Sequence, residues 1–213
     1  MKRLGKMQTR NLRPSIGIAG AGLLMFAILA FAPAAARGHG ELLIQIVNVT
    51  QRIKAATNNP AALYVERGEL HRQHREWDAA ESDYARAARL DSTLAEVDFC
   101  RAKMLDDSGQ GAAAEALFGH VIARDPAHAE AFIGRARARM KLGRLEQAIS
   151  DYQRGLDLHA DPKVEYFLEL ERAFEEQGQP QDALKTLDQG MARLGSNIPL
   201  QSQAIELELT RTN

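Results

Sequence analysis

The chain has 213 residues, enough for one domain of ordinary size, with 26% charged and 45% hydrophobic residues. Its net charge of −1 hides an asymmetry, because residues 1–36 hold five basic residues and no acidic one. Of the 27 basic residues 22 remain after them, against 28 acidic residues, so the rest of the chain is acidic. This balance argues against binding to nucleic acid, which requires a basic surface.

The first 36 residues have the three parts of a secretory signal peptide. Met1–Arg13 is basic, residues 16–31 are uncharged and largely apolar, and residues 34–36 form a small-x-small cleavage site. We therefore predict export, to the periplasm if the source is a Gram-negative cell. An uncleaved inner-membrane anchor is the alternative, because residues 16–36 reach the length of about 20 residues that a membrane span needs. No other segment is expected to contact a membrane.

A lone helix is predicted within residues 37–60. Glu41–Ala56 carries apolar residues at 4-3-4 spacing, which places them on one helical face. These residues are Leu42, Ile46, Val49 and Ile53. We expect this helix to cap the N-terminal end of the fold that follows.

Residues 61–197 repeat one pattern of two helices joined by a short turn, with a period of 34 residues. The windows are 61–94, 95–128, 129–162 and, one residue out of step, 164–197. With each window numbered from 1, position 20 is always alanine and position 24 is Tyr84, Phe118, Tyr152 or Leu187. Position 15 is Arg75, Gly109, Gly143 or Gly178. A fixed period of this length indicates a repeat architecture.

The pattern resembles the tetratricopeptide repeat (TPR), which has a small residue at position 8, alanine at 20, an aromatic residue at 24 and often proline at 32. Position 8 is Gly68, Ala102 and Ala136 in the first three windows but Glu171 in the fourth. Pro126 occupies position 32 of the second window. The resemblance implies an all-α fold, an α-solenoid of four TPR-like helix pairs with a capping helix at each end.

The C-terminal capping helix is predicted in residues 198–213, starting at Pro199. We expect Leu200, Ile205 and Leu209 to cover the fourth repeat while Glu206 and Glu208 face water. Solenoids need end units of this kind, with an apolar inner face and a polar outer face.

Arginine recurs at position 7, as Arg67, Arg101 and Arg135, where the family usually has leucine. Position 23, on the facing second helix, is Asp83 in the first window and Asp151 in the third. Because a bare arginine between two helices is costly, we predict the ion pairs Arg67–Asp83 and Arg135–Asp151. Arg101 should reach an acid of a neighbouring repeat, a backbone carbonyl or water. A phosphate-binding row of arginines is the functional alternative.

The resemblance implies that the first helix of each pair lines a concave groove, with positions 2, 5 and 9 facing into it. Position 5 is apolar throughout: Val65, Phe99, Ile133 and Leu168. Position 9 is Glu69, Lys103, Arg137 and Arg172, and position 2 is Ala62, Glu96, Glu130 and Glu165. We predict that a peptide or protein segment binds along the apolar row, with Phe99 as central anchor. The alternative is that position 5 packs against the next first helix and leaves little exposed.

No catalytic motif is present, and the resemblance implies a non-catalytic protein-binding scaffold without a cofactor. Position 6 is Glu66, Cys100, Gly134 and Glu169, so the clamp with which chaperone-binding members hold a terminal carboxylate is absent. The single cysteine excludes an internal disulfide.

Two places could still bind a metal. His71 and His74 share a helix face, but the repeat register supplies no third ligand. The rival function is Cu(II) or Ni(II) binding by a mature N-terminus that begins Arg37-Gly38-His39. There, an amine, two backbone nitrogens and the His39 imidazole would form a square-planar set.

Overall fold

The computed structural model describes the backbone of residues 34–212 and the side chains of residues 40–209. These residues form ten α-helices: α1 (Ala34–Ala55), α2 (Ala61–Gln73), α3 (Trp77–Leu90), α4 (Glu96–Asp107), α5 (Gly111–Arg124), α6 (Ala129–Lys141), α7 (Leu145–Leu158), α8 (Val164–Glu176), α9 (Pro180–Leu194) and α10 (Ile198–Thr212). The chain divides into two units between Gln45 and Ile46. The described part of the first unit is the start of α1, and the second unit holds the rest of α1 and helices α2 to α10.

The second unit is a stack of helix pairs, α2–α3, α4–α5, α6–α7 and α8–α9, and each pair also contacts the next. This confirms the predicted all-α architecture, with helices that follow the 34-residue windows. The predicted helix Glu41–Ala56 corresponds to α1, which begins at Ala34. Residues 1–33, which hold most of the predicted signal peptide or anchor, lie outside the described part. Among residues 34–212, no helix has the length and apolar character needed to cross a membrane.

The turns between paired helices explain position 15 of the repeat. Gly109, Gly143 and Gly178 have φ of 84°, 71° and 76°, and Arg75 has φ of 64°. The next residue closes the turn by donating its backbone N–H to a carbonyl five residues earlier, as Glu76 does to His71 at 2.9 Å. This is the hydrogen bond of a Schellman cap, which requires the left-handed conformation that glycine adopts without strain.

Replacing Arg75 with glycine should therefore stabilise the first repeat. We expect a gain of about 0.5–1 kcal/mol in the free energy of unfolding, less any loss of the contact between the Arg75 guanidinium and the Trp77 ring at 6.0 Å. Urea denaturation followed by circular dichroism measures this change in the free energy of unfolding. Arg86→Gly, at an exposed site inside α3, is the control and should cost about 1 kcal/mol. A destabilised Arg75→Gly protein would contradict the strain argument.

The core lies between paired helices, where small residues admit aromatic rings. Tyr84, Phe118 and Tyr152 at position 24 are buried, and the alanines at position 20 are fully buried beside them. Gly68 shows how close the helices approach, because a Cβ added there would lie 2.5 Å from Cε1 of Tyr84. The residue types that define the repeat in the sequence are thus those that its packing requires.

The C-terminal helix packs on a different face from the one predicted. Leu200 and Leu207 of α10 are buried, but Ile205 is 62% exposed and Leu209 is 59% exposed. The expectation that Ile205 and Leu209 cover the fourth repeat was therefore wrong. Leu200, Ala204 and Leu207 have the 4-3 spacing of a single helical face, whereas Ile205 lies on an adjacent face.

Glu171, at the position that is small in the other repeats, is buried between helices of the fourth repeat and α10. Its side chain is only 3% exposed, and its Oε1 accepts a hydrogen bond from Nε2 of Gln203 at 3.4 Å. Burial, with smaller effects from the nearby carboxylates of Glu175 and Glu206, raises the pKa of Glu171 to about 7. The native protein therefore holds a proton there that the unfolded chain releases at neutral pH.

This proton makes the stability of the C-terminal end depend on pH. Because the folded pKa of Glu171 lies above the unfolded one, its contribution is full below pH about 4.5 and is lost as the pH rises through about 7. We expect the free energy of unfolding to fall by on the order of 1–2 kcal/mol between pH 5.5 and pH 8. In the Glu171→Gln protein this decrease should be absent. An equal decrease in both proteins, measured in urea, would assign it to other groups.

Candidate functional site

The surface formed by the first helices carries a cleft of about 420 Å³. It is lined by Phe99, Lys103, Glu130, Arg137, Lys163, Glu165, Tyr166 and Glu169. A second cleft of about 330 Å³ adjoins it and shares Arg137 and Glu169. The second cleft is lined further by Met140, Lys141, Tyr152, Arg172 and Glu176. We call the two clefts together the groove.

The groove contains four of the eight residues predicted to bind a partner. Phe99, Lys103 and Arg137 line its first cleft, and Arg172 lines the second with Arg137. Helices α4, α6 and α8 supply these side chains. Phe99 occupies position 5 of its repeat, and the three basic residues occupy position 9 of theirs. The repeat register thus places them on one surface.

The predicted continuous apolar row is not present. Val65 is 7% exposed and Ile133 is fully buried, and both belong to the core. Ile133 packs over Gly155 of α7, where an added Cβ would lie 2.6 Å from its Cδ1. Leu168 is partly buried and packs against the core of the last two repeats. Position 5 therefore mostly builds the core and leaves little exposed, as in the alternative, but Ile133 packs on the second helix of its own repeat. Of the residues at position 5, only Phe99 lines the groove.

Tyr166 also lines the first cleft of the groove and was not predicted, although its side chain is only 1% exposed. Its Oη donates a hydrogen bond to Oε1 of Glu130 at 2.5 Å. The Arg137 guanidinium and the Lys163 ammonium lie 5.5 Å and 5.4 Å from its ring centroid. Tyr166 occupies position 3, which is aliphatic in the other windows. This change to an aromatic residue could have identified Tyr166 from the sequence.

Charged side chains of the groove are paired with one another. Arg137 donates Nε to Oε2 of Glu169 at 2.8 Å and Nη2 to Oε1 at 2.9 Å, which is a bidentate pair. Burial lowers the pKa of Arg137, but the Glu169 carboxylate more than offsets this and raises it. Lys163 is exposed at the rim, 3.8 Å from Glu130. The predicted basic and acidic rows do not pair with each other, because Arg137 of the basic row pairs with Glu169 at position 6, and Glu130 of the acidic row lies near Lys163, which precedes α8.

Glu69 lies in a similar network nearer the N-terminal end. Its carboxylate accepts hydrogen bonds from Tyr84 Oη at 2.6 Å, Lys103 Nζ at 2.7 Å and Arg72 Nε at 3.1 Å. Burial alone would raise its pKa, but Arg72, Lys103 and Tyr84 together lower it to about 2. Glu69 is therefore ionised at neutral pH, and with these partners it links the first two repeats rather than facing an open groove.

The arginines at position 7 contact carboxylates, two of them as predicted. Arg67 Nη2 lies 2.6 Å from Asp83 Oδ1, and Arg135 Nη2 lies 2.8 Å from Asp151 Oδ1. Arg101 donates Nε to Glu81 at 3.0 Å, on the second helix of the preceding repeat. Since each guanidinium already bonds a carboxylate, the row of arginines is structural and does not favour the phosphate-binding alternative.

The side chains that might have bound metal are otherwise engaged. His71 Nδ1 and His74 Nδ1 lie 2.5 Å and 2.9 Å from the two oxygens of Glu76. Within residues 40–209, no three His, Cys, Asp or Glu side chains are placed to hold a metal ion. The side chain of His39 lies outside the described part. Cys100 is buried, and burial raises the pKa of its thiol well above the ordinary value, so the thiol is unreactive.

Several solved structures are similar to this chain in fold. MamA residues 41–end from Desulfovibrio magneticus RS-1 has a TM-score of 0.60 and 15% identity, covering 78% of this chain and 98% of its own. YrrB, described as a TPR protein with an unusual peptide-binding site, has a TM-score of 0.59 and 17% identity, covering 78% and 84%. The first TPR domain of Spaghetti (RPAP3), bound to an HSP90 peptide, has a TM-score of 0.51 and 24% identity, covering 55% and 93%.

Sequence comparison supports the same family. No curated protein sequence matches the chain. Residues 107–170 match the family model of the tetratricopeptide repeat, and this segment contains α5, α6, α7 and half of α8. Residues 107–170 are therefore similar in sequence to the tetratricopeptide repeat, and the helix pairs from Ala61 to Leu194 have the tetratricopeptide repeat fold.

Proposed function

We propose that this protein is a non-catalytic scaffold that binds a peptide or a protein segment in the groove around Arg137 and Glu169. The observation that carries the proposal is that the partly exposed ring of Phe99 lies there beside charges of both signs, with the buried ring of Tyr166 packed against Arg137 and Lys163. TPR proteins are typically non-catalytic. Two proteins of similar fold, YrrB and the first TPR domain of RPAP3, are described with a peptide-binding site and a bound peptide.

The groove can hold a segment that has an apolar anchor and charged neighbours. Phe99 packs edge-on against Phe118, with ring centroids 6.0 Å apart, so it is a rigid surface for an apolar side chain. An acidic residue of the partner could replace Glu169 on Arg137 or pair with Lys163. A basic residue could pair with Glu165, which lies at the edge of the same cleft. Such exchange of ion pairs favours specificity more than affinity.

Substitutions within the groove test this proposal. Phe99→Ala and Arg137→Glu should each lower the amount of partner captured from the native cell envelope by about tenfold or more. Arg154→Glu, an exposed site on α7 outside the groove, is the matched control and should have no effect. Circular dichroism and thermal melts must show that all three proteins are folded. Capture by both groove variants at the control level would mean that the partner binds elsewhere.

Export completes the proposal and is supported by the sequence of residues 1–36 alone. We infer that the scaffold acts in the periplasm, or is held at the inner membrane by residues 16–36 if the segment is not cleaved. Cell fractionation with mass spectrometry of the N-terminus distinguishes the two. A soluble protein that begins at Arg37 indicates cleavage, whereas an intact chain in the membrane fraction indicates an anchor. An intact chain in the cytoplasm would contradict export.

A further inference from the structure

Helix α10 occupies the place of a first helix in the repeat register. It begins at Ile198, 34 residues after Val164 begins α8, and it packs against α9 and α8 as earlier first helices pack against the preceding pair. Ile205 then falls at position 8. In complete repeats this position touches its own second helix, as Gly68 touches Tyr84. In α10 no second helix among the described residues covers Ile205, which is 62% exposed.

Exposed apolar side chains are concentrated on the two end helices. Among the described side chains, the exposed large hydrophobic residues are Leu43, Ile44, Val47, Leu90, Leu142, Ile198, Ile205 and Leu209. Three of them lie on α1 and three on α10, whereas Leu90 and Leu142 are isolated at the ends of other helices. Because the outer faces of a solenoid's end units are ordinarily polar, two apolar end faces indicate surfaces that dock.

The apolar face of α10 borders an acidic cleft. The cleft has a volume of about 480 Å³ between α9 and α10 and is lined by Leu184, Asp188, Ala204, Ile205, Glu208 and Leu209. Its charged residues are all acidic. An occupant that fits should therefore be a helix with an apolar stripe and basic flanking residues.

Helix α1 has both features. Leu43, Ile44 and Val47 are exposed, with Val47 at 57%. The last turn of the helix carries Lys54 and Arg52, and Arg52 also pairs with Glu66 of its own chain at 2.6 Å. At 22 residues it is longer than the 15-residue α10, so it can cover the whole apolar face. The chain thus carries an acidic apolar cleft and a basic apolar helix.

We propose that α1 of a second copy packs on α10 and fills the cleft between α9 and α10, with Val47 against Ile205. It would take the place that a second helix occupies in a complete repeat. Such a contact joins unlike surfaces, so it can be repeated from copy to copy and builds a head-to-tail row. It leaves the groove free and does not depend on the proposed function.

Self-association of the full-length chain, as expressed, tests the proposal. Sedimentation velocity up to on the order of 100 µM should show growth beyond a dimer, and growth should weaken at high salt. Ile205→Glu and Val47→Glu should each weaken self-association by about tenfold or more. Leu142→Glu, which places the same charge on an exposed leucine away from both end helices, is the matched control and should associate as the unchanged protein does.

Mixing the two variants separates a head-to-tail contact from a symmetric one. The Val47→Glu protein keeps an intact cleft and the Ile205→Glu protein keeps an intact α1. An equimolar mixture should therefore form dimers and stop there. Full self-association of Val47→Glu would overturn the proposal in favour of symmetric pairing through α10. A monomeric unchanged protein at the highest concentration, or an effect of Leu142→Glu equal to that of Ile205→Glu, would also overturn it.

Discussion

Replacing Asp151 with alanine is expected to lower the free energy of unfolding by about 3–5 kcal/mol. The Asp151 side chain is almost fully buried, and it accepts two hydrogen bonds of 2.8 Å from Arg135. Its Oδ2 also accepts one from Arg139 Nη1 at 2.7 Å. Without the carboxylate, two mostly buried guanidinium groups would face each other with no shared counter-charge, which is the costly way to break a buried ion pair.

The effect should extend beyond one repeat. Arg139 also donates Nε to Glu115 Oε1 at 2.9 Å, and Glu115 lies on α5 of the preceding repeat. The Glu115 carboxylate also forms an ion pair with Arg144. Loss of Asp151 should therefore loosen the contact between the second and third repeats, and hydrogen exchange should become faster in both α5 and α6.

An exposed ion pair gives the control for this prediction. Arg172 and Glu176 are one helical turn apart on α8, with 75% and 43% of their side-chain surfaces exposed. Glu176→Ala should change the free energy of unfolding by less than about 0.5 kcal/mol, since exposed pairs contribute little. If urea denaturation gives Asp151→Ala and Glu176→Ala the same small cost, water replaces the buried carboxylate and the network adds little stability.

The sequence predicted the part of this network that lies within one repeat. Positions 7 and 23 face each other across a helix pair of the repeat that the sequence resembles, so Arg135 and Asp151 could be matched from the repeat register. Arg139 and Glu115 could not, because they belong to different repeats. Their contact depends on the rise and rotation from one pair to the next, which the 34-residue period does not specify.

The groove shows the same limit. The resemblance to the tetratricopeptide repeat implied that Phe99, Lys103 and Arg137 lie on one surface, and the structure has them there. Whether a residue at position 5 stays exposed depends instead on the facing helix. Ile133 is buried because Gly155, at position 27 of the facing helix, leaves space for it, and the sequence analysis did not consider that position.

In α10, apolar residues occupy two faces, and the sequence alone did not show which face is buried. Leu200 and Leu207 lie on one face, and Ile205 and Leu209 lie on another. The first face packs against the fourth repeat, because the helix enters the stack in the register of a first helix. The second face is then exposed in the described part of the chain, and it is the face to which we propose that α1 of a second copy binds.

Gly68→Ala is the second substitution for which we expect a large cost, about 2–3 kcal/mol. An alanine Cβ at this site would lie 2.5 Å from Cε1 and 2.8 Å from Cδ1 of Tyr84. The ring cannot move aside freely, because it is fully buried and its hydroxyl donates to Glu69 at 2.6 Å. The helices must separate or the hydrogen bond must break, and either cost exceeds the gain of about 1 kcal/mol that alanine gives inside a helix.

Gly119→Ala isolates the helix-propensity term from the steric one. Gly119 lies inside α5, and the nearest non-local atom to an added Cβ is Nη1 of Arg135 at 3.8 Å, an ordinary contact. This substitution should stabilise the protein by up to about 1 kcal/mol, so the two alanines should shift the urea midpoint in opposite directions. If Gly68→Ala also raised the midpoint, α2 and α3 could move apart at little cost, and the small residue at position 8 would not be what sets their separation.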